Sequence, residues 1–391
     1  MVRILRVVQE YLPQVSGPAN LVDGLSRALA SAGWDNDIYT CNLGTGSAER
    51  ERSPGITVRR FPAVGPVMSS YFSPRLAEAV RRSNHDIIHV HGCRNLTADS
   101  ALLLARGRPV VFQPHGILAG YKRLLAGRRA LPFKIHDAVL RPMLLRLANP
   151  TLASTEAERE ECIEWGIPQD QVTVIPEGVD DALFAIPERA VPREPFLLLY
   201  VGRISRDRDV EALIGALAHV RRSGVSARLR LVGRASESTK LNAPAGVSVI
   251  RELCQELGVA TDVDFVGELT GSQLRAEYQA ASLFVYASRY DSFGQALAQA
   301  AAAGLPIVSV RIGVAPELIQ HGESGWLSDD PKSFGALVSR VLKDPYHMSA
   351  AGRAARKTAQ RFRWKAVGTQ YERYYTSLLG RGSEMTNAVR P

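Results

Sequence analysis

The chain has 391 residues, 46% of them hydrophobic, and carries a formal charge of +9. That length exceeds one typical domain and that apolar content excludes disorder, so two folded domains are expected. The basic surplus suits a phosphorylated ligand or an anionic membrane surface; nucleic acid is disfavoured, because no zinc-ligand spacing and no basic tail is present.

No apolar run approaches the about 20 residues of a membrane span. The N-terminus carries Arg3 and Arg6 inside its apolar stretch, so it reads as a first strand and not as a signal peptide. Cys41, Cys93, Cys162 and Cys254 show no metal or redox spacing and read as reduced packing residues of a cytosolic protein. The first unit is a strand at 4–9, a loop at 11–18 and a helix stopped near Gly33. Strands follow near 37–40, 57–61, 87–90, 110–113, 150–153 and 172–175. Segment 185–195, with Pro187, Pro192 and Pro195 among charges, reads as an interdomain linker. The pattern then restarts with strands at 196–201, 228–232 and 263–265 and helices at 210–222 and 250–257. Such alternation means parallel sheets with crossover helices. A buried strand at 283–287, a polar turn and an alanine-rich helix stopped at Gly304 come next, then a second buried strand from Pro306. The tail at 345–379 reads as helical.

The turn after Ala287 places a helix start at a strand's carboxyl end, the ligand edge of an open α/β sheet. Amides around Phe293 and Gly294 lack intrahelical partners and sit at the positive end of the dipole. Asp291 stands at the mouth beside Ser292, and Gln299 lies about two turns down the same helix. A second constellation follows the strand 196–201: Gly202 permits a tight exit, and Arg203 and Arg208 suit a diphosphate through their guanidinium forks. Gly17, in a Ser-Gly-Pro loop, lets helix amides approach a phosphate. His115, on a short turn at the end of an apolar strand, suits polarising an attacking or leaving oxygen. Each of these has a plainer reading as a turn, a cap or a packing residue.

Taken in order, the motifs resemble family 4 of the retaining glycosyltransferases. Gly202 to Asp209 matches G-R-x-x-x-x-K-G, with Arg208 and Asp209 in place of lysine and glycine. Asp291 to Gln299 matches E-x(7)-E with both glutamates changed. Residues 304–308 match G-L-P-V-V, 312–319 resemble G-G-x-P-E-x-I, 322–327 resemble G-x-x-G-x-L, and 175–180 resemble I-P-N-G-V-D. Ser16-Gly17, His115 and the Phe362-x-Trp364 tail complete the series.

The resemblance implies an α/β fold of two Rossmann-like doubly wound domains facing a cleft, the GT-B fold. Its C-terminal helix, about 366–380, crosses back to the first domain. The expected division is 1–185 for the acceptor domain and 186–365 for the donor domain. The implied reaction is metal-independent transfer, with retention, from a nucleotide-diphosphate sugar to a glycan or lipid-linked acceptor in surface polysaccharide synthesis. By the same resemblance Arg203 and Arg208 take the diphosphate. Asp291 and the amides of Phe293 and Gly294 take the sugar, beside Ser292. Gln299 takes the ribose, His115 lies near the anomeric carbon, and Gly17 faces phosphate. Replacing the second glutamate by Gln299 exchanges a charged contact worth about 1.5–3 kcal/mol for a neutral one of about 1 kcal/mol, so weaker nucleotide binding is expected. A phosphorylase or sugar-phosphate synthase on the same fold, and a non-catalytic sugar-nucleotide-binding subunit, are the alternatives. Residues 121–146 carry seven basic side chains among apolar ones against the single acid Asp137. They suit contact with an anionic membrane, so the expected location is cytoplasmic and peripheral at the membrane's inner face.

Overall fold

The structure is a computed structural model that describes residues 2–44, 46–67, 70–105, 107–116, 131–205, 208–234 and 247–388. The chain divides into two compact units, one of 1–178 with 364–391 and the other of 179–363. Both are built on the alternation of apolar runs and amphipathic helices that the sequence displays.

Unit 1 holds strands β1 (Arg3–Val7), β2 (Asp35–Asn42), β3 (Arg50–Ser53), β4 (Ile56–Pro62), β5 (Val64–Val67), β6 (Ser70–Phe72), β7 (Ile87–His91), β8 (Val110–Gln113), β9 (Thr151–Ala153) and β10 (Val172–Val174). Its main sheet runs in the order β10-β9-β8-β7-β1-β2-β4-β3, parallel except for β3, which pairs antiparallel with β4. Strands β5 and β6 form a separate hairpin. The strand order reverses between β1 and β7, the position where open α/β sheets bind ligands. One face is covered by the helices Gly17–Ser31 and Trp364–Ala388, which meet around Leu25, Leu29, Val367, Tyr371 and Tyr375. The C-terminal helix therefore belongs to unit 1.

Unit 2 holds strands β11 (Phe196–Val201), β12 (Ala227–Val232), β13 (Val263–Gly267), β14 (Leu283–Tyr286), β15 (Ile307–Val310) and β16 (Trp326–Ser328). They form one parallel sheet in the order β13-β12-β11-β14-β15-β16, with its reversal between β11 and β14. A single apolar cluster runs through this unit. The contacts divide the chain between Gly178 and Val179, ahead of the proline-rich segment. The Val179 amide donates to Phe362 O at 2.7 Å, Arg363 pairs with Asp181, and Phe184 and Ile186 enter the core of unit 2. Arg189 then donates to the carbonyls of Gln279 and Ala281, each at 2.8 Å. The segment read as a linker is thus tied down to unit 2. All four cysteines are free and buried, and among the described residues no helix is long and apolar enough to cross a membrane.

Candidate functional site

In unit 2 the loops beyond β11 and β14 meet at the point of strand reversal. Gly202 directly follows β11, and a Cβ there would lie 2.6 Å from the Tyr200 hydroxyl; a Cβ at Gly233 would lie 1.9 Å from Gly202 O. The two loop backbones touch, so side chains are excluded and the chain turns sharply toward the helix Val210–Arg222. Arg208 Nη1 donates to the Tyr286 hydroxyl at 2.8 Å, to Ser288 Oγ at 3.3 Å and to Tyr290 O at 3.2 Å. It also pairs with Asp291 Oδ2. The Tyr286 hydroxyl donates to that same oxygen, while Asp291 Oδ1 accepts from the Gly294 amide at 3.1 Å. Both oxygens of Asp291 are therefore engaged. Burial pushes its carboxyl up, but the Arg208 charge and the hydrogen bonds from Tyr286 and Arg208, with Arg203 behind them, outweigh burial and hold it below the usual carboxylate range. It is an anion that bonds both to Arg208 and to the helix start at Gly294.

The helix itself begins at Gln295, with Gly294 as its N-cap in the left-handed region at φ 89°. Phe293 is 1% exposed and packs its ring on Phe362 at 5.7 Å; its carbonyl accepts from Val314 N at 2.6 Å. A Cβ at Gly313 would come within 2.4 Å of that carbonyl, so the turn after β15 presses directly on the helix entrance. Ser292 stays half-buried between Asp291 and Phe293. Gln299, about one turn into the helix, accepts from the Tyr278 hydroxyl through Oε1 at 2.9 Å.

The Arg208-Asp209 departure has a structural rationale. Asp209 sits at φ 48°, backbone that glycine adopts without cost and that aspartate tolerates. Its carboxylate then does what glycine cannot, pairing with Arg289 Nε at 2.8 Å and joining the loop after β11 to the turn after β14.

In unit 1, the helix Gly17–Ser31 starts just past β1. Ser16 Oγ accepts from Ala19 N at 3.3 Å, so Ala19 is spent on the cap and Gly17 marks the helix start. A Cβ at Gly17 would meet open space. His115 follows β8 at φ 58°. Its Nε2 lies 3.0 Å from His91 Nδ1, the two rings stack at 5.2 Å, and the His89 ring lies 4.0 Å from that of His91, tilted by 35°, with its Nδ1 at 2.7 Å from the Tyr375 hydroxyl. Burial pushes His115 down to about 3. His89 and His91 are lowered too, by burial first and by the buried Arg6 among the neighbouring charges. Arg6 is 0% exposed and is the register partner of His89 across β1 and β7. His115 is consequently a neutral hydrogen-bonding group, and Nδ1 is the ring nitrogen left for a ligand. Glu158, also buried, accepts from Ser154 N at 2.6 Å; burial raises it to about 7 against the hydrogen bonds from Ser154 and Gly116.

Among the sequence candidates, the structure gathers Gly202, Arg208, Asp291, Ser292, Phe293 and Gly294 at one corner of unit 2, with Arg203 near enough to act on Asp291. Gln299 lies deeper, and His115 and Gly17 belong to unit 1. Tyr286, Ser288 and Tyr278 were missed. A tyrosine closing an apolar strand is the one signal Tyr286 offered. Among the described residues no group of His, Cys, Asp or Glu gathers as a metal-binding set. Residues 117–130, Arg206 and Asp207 lie outside the described residues, and with them Lys122, Arg123, Arg128 and Arg129 of the basic segment.

The comparisons agree on one family. Residues 184–358 match the family Glycosyl transferases group 1 and residues 15–183 match Glycosyltransferase Family 4. The D-inositol 3-phosphate glycosyltransferase of Thermobispora bispora is 27% identical over 381 residues, 91% of this chain and 89% of that one. The glycogen synthase of Mycobacterium tuberculosis is 29% identical over 407 residues, 95% and 94% of the two chains. Among solved structures, sucrose-phosphate synthase from Thermosynechococcus elongatus superposes with a TM-score of 0.76 at 21% identity, over 97% of this chain and 100% of that one. Anabaena HepE in complex with UDP-glucose gives 0.74 at 20%, over 96% and 100%. Two Rossmann-like units, two family matches that follow each other along the chain and this set of relatives place the chain in family 4 of the glycosyltransferases, as an enzyme of the GT-B fold.

Proposed function

We propose that the enzyme transfers a sugar, with retention and without a metal, from a nucleotide-diphosphate sugar to a glycan or lipid-linked acceptor in surface polysaccharide synthesis. The observation that carries this reading is the fixing of Arg208 by Asp291, Tyr286 and Ser288 at the reversal between β11 and β14. A guanidinium held by several partners costs no reorganisation when charge develops on a departing diphosphate. Arg203, which acts on Asp291, adds a second cation, so the phosphate charge is met by arginines. Asp291 keeps that corner oriented, and Gln299 presents its amide to the nucleoside side. His115, neutral, offers Nδ1 to a sugar hydroxyl and does not exchange a proton. Asp291, the carboxylate at this corner, is engaged by Arg208, Tyr286 and the Gly294 amide, which favours same-face displacement aided by the leaving phosphate. The HepE complex holds UDP-glucose, and a UDP-sugar is the first donor to try.

Contact with an anionic membrane is the companion proposal. Leu131, Ile135 and Val139 recur every fourth residue of the helix Leu131–Val139 and are 54%, 55% and 66% exposed. Lys134 is exposed beside them. An apolar stripe flanked by cations suits an interfacial helix at the inner face of the membrane.

The test is to offer purified protein a panel of nucleotide sugars and follow donor consumption and the product anomeric signal by proton NMR. Consumption of one donor with retained configuration is expected; an inverted product, or no consumption of any donor by folded protein, contradicts the reading. Arg203→Ala and Arg208→Ala should each weaken nucleoside-diphosphate binding by about 1.5–3 kcal/mol in calorimetry while sparing nucleoside binding.

A further inference from the structure

A recess of about 370 Å³ opens on unit 1 at the carboxyl end of β4, walled by Arg50, Arg59, Arg60 and Arg75 over Phe61 and Pro62, with Glu49 as its acid. Three features of its arginines are electrostatically unfavourable. Arg50 and Arg59 are direct register partners across the antiparallel β3–β4 pair, and like charges placed opposite one another destabilise a sheet. Arg75 sits in the first turn of the helix Pro74–Arg81, which carries no acid there, so a cation faces the positive end of the dipole. Arg59 Nε is buried with no hydrogen-bond partner, while its Nη1 donates to the Tyr39 hydroxyl at 3.5 Å and its guanidinium lies 5.6 Å from that ring's centroid. Asp37, a carboxylate that feels Arg59, is already held by His85 Nε2 at 2.7 Å. Arg60 differs: it is committed to Glu51 at 2.8 Å and to the carbonyls of Ala48 at 3.0 Å and Leu12 at 2.7 Å, which fixes it as a rigid wall.

A single anion in the recess would offset all three costs at once. The geometry points to a binding site for a phosphate ester, its charge met by Arg50, Arg59 and Arg75 and its carbon body resting on Phe61 and Pro62. β2 lies between β4 and β1, so the recess is about 10 Å, two strand spacings, from the strand reversal of unit 1. It is a second site, separate from the arginines of unit 2. The ester is supplied either by a soluble sugar phosphate or by a lipid headgroup. The inference rests on the transferase reading only for that biological source and not for the site.

Hydrogen exchange of the full chain, read by mass spectrometry in inorganic phosphate against chloride at equal ionic strength, tests it directly. Several-fold slowing is expected in peptides covering 49–62 and 73–81. It should vanish in the Arg50→Ser/Arg59→Ser variant and, should that variant misfold, in Arg75→Ser. Slowing confined to peptides 199–210 and 286–296 reports the donor loops alone and overturns the site while leaving the transferase reading intact. Two further arms separate the sources. Flotation of the parent, but not the variant, with phosphatidate vesicles and not with phosphatidylcholine vesicles assigns the lipid. Displacement of phosphate by glucose 6-phosphate without flotation assigns the soluble ester. The absence of both responses overturns the proposal.

Discussion

At the scale of single residues, two of the family departures work through partners that only the fold supplies. Asp209 replaces a glycine and is kept by its left-handed backbone and its bond to Arg289. Gln299 replaces a glutamate and is held by the Tyr278 hydroxyl, which would donate equally well to a carboxylate. Gln299→Glu should therefore fold and leave the donor KM unchanged or lower. Gln299→Ala removes the acceptor of a buried hydroxyl and should cost about 1–3 kcal/mol of stability with a raised donor KM; steady-state kinetics and calorimetric unfolding separate the two effects. His115 and Glu158, both buried, contribute to the pH dependence of stability with opposite signs. His115 titrates near 6.5 when unfolded and about 3 when folded, so unfolding takes up a proton between those values. Its stabilising contribution is complete above pH 6.5 and falls by about 1.4 kcal/mol per pH unit below it. Glu158 has the opposite sign. Its folded value of about 7 exceeds the ordinary 4.5, so its contribution is complete below pH 4.5 and is lost as pH rises through 7. Glu158→Gln, which stays neutral, should raise the melting temperature relative to the parent at pH 8 and leave their difference small at pH 4.5. An equal shift at both values would contradict the assignment.

At the scale of elements, the parallel strands were legible because strands buried on both faces are continuous apolar runs. β3 was not. Its residues are Arg-Glu-Arg-Ser, all exposed, and only pairing with β4 makes it a strand. The site was legible where it rests on backbone, as at Gly202 and Gly294, and illegible where it rests on hydroxyls. Tyr286 falls in a strand read from sequence as buried and Tyr278 drew no reading; their hydrogen bonds, to Arg208 and Asp291 and to Gln299, exist only once the fold brings those residues together. The Phe-x-Trp tail shows a third case. Phe362 enters the core of unit 2, whereas Trp364 lies against Gly24 and Gly178 of unit 1. A Cβ on Gly24 would come within 2.1 Å of the indole and one on Gly178 within 2.2 Å. Trp364→Ala should cost about 3 kcal/mol through the cavity it leaves. Gly24→Ala should be destabilising in the parent and nearly silent in Trp364→Ala, because the clash is gone. Additive losses in thermal unfolding would contradict this packing account.

At the scale of the whole molecule, two doubly wound units were predictable from the alternation, whereas their strand counts, eight and six in the main sheets, were not. Their division was less predictable. Proline-rich composition drew attention to 185–195, yet Arg189 and Ile186 tie that segment to unit 2, and the chain changes units at Gly178 and again at Arg363. The central claim is that the turn between β14 and its helix carries the donor chemistry, with Asp291 fixing Arg208 and the helix entrance. Steady-state turnover of Asp291→Ala, measured beside its thermal unfolding, tests that claim most directly. The account predicts a lower melting temperature, because Arg208 loses its counter-charge and Gly294 its cap, together with loss of most donor turnover at temperatures where the variant remains folded. A lowered melting temperature with turnover intact would show that Asp291 serves the fold alone and would contradict the account.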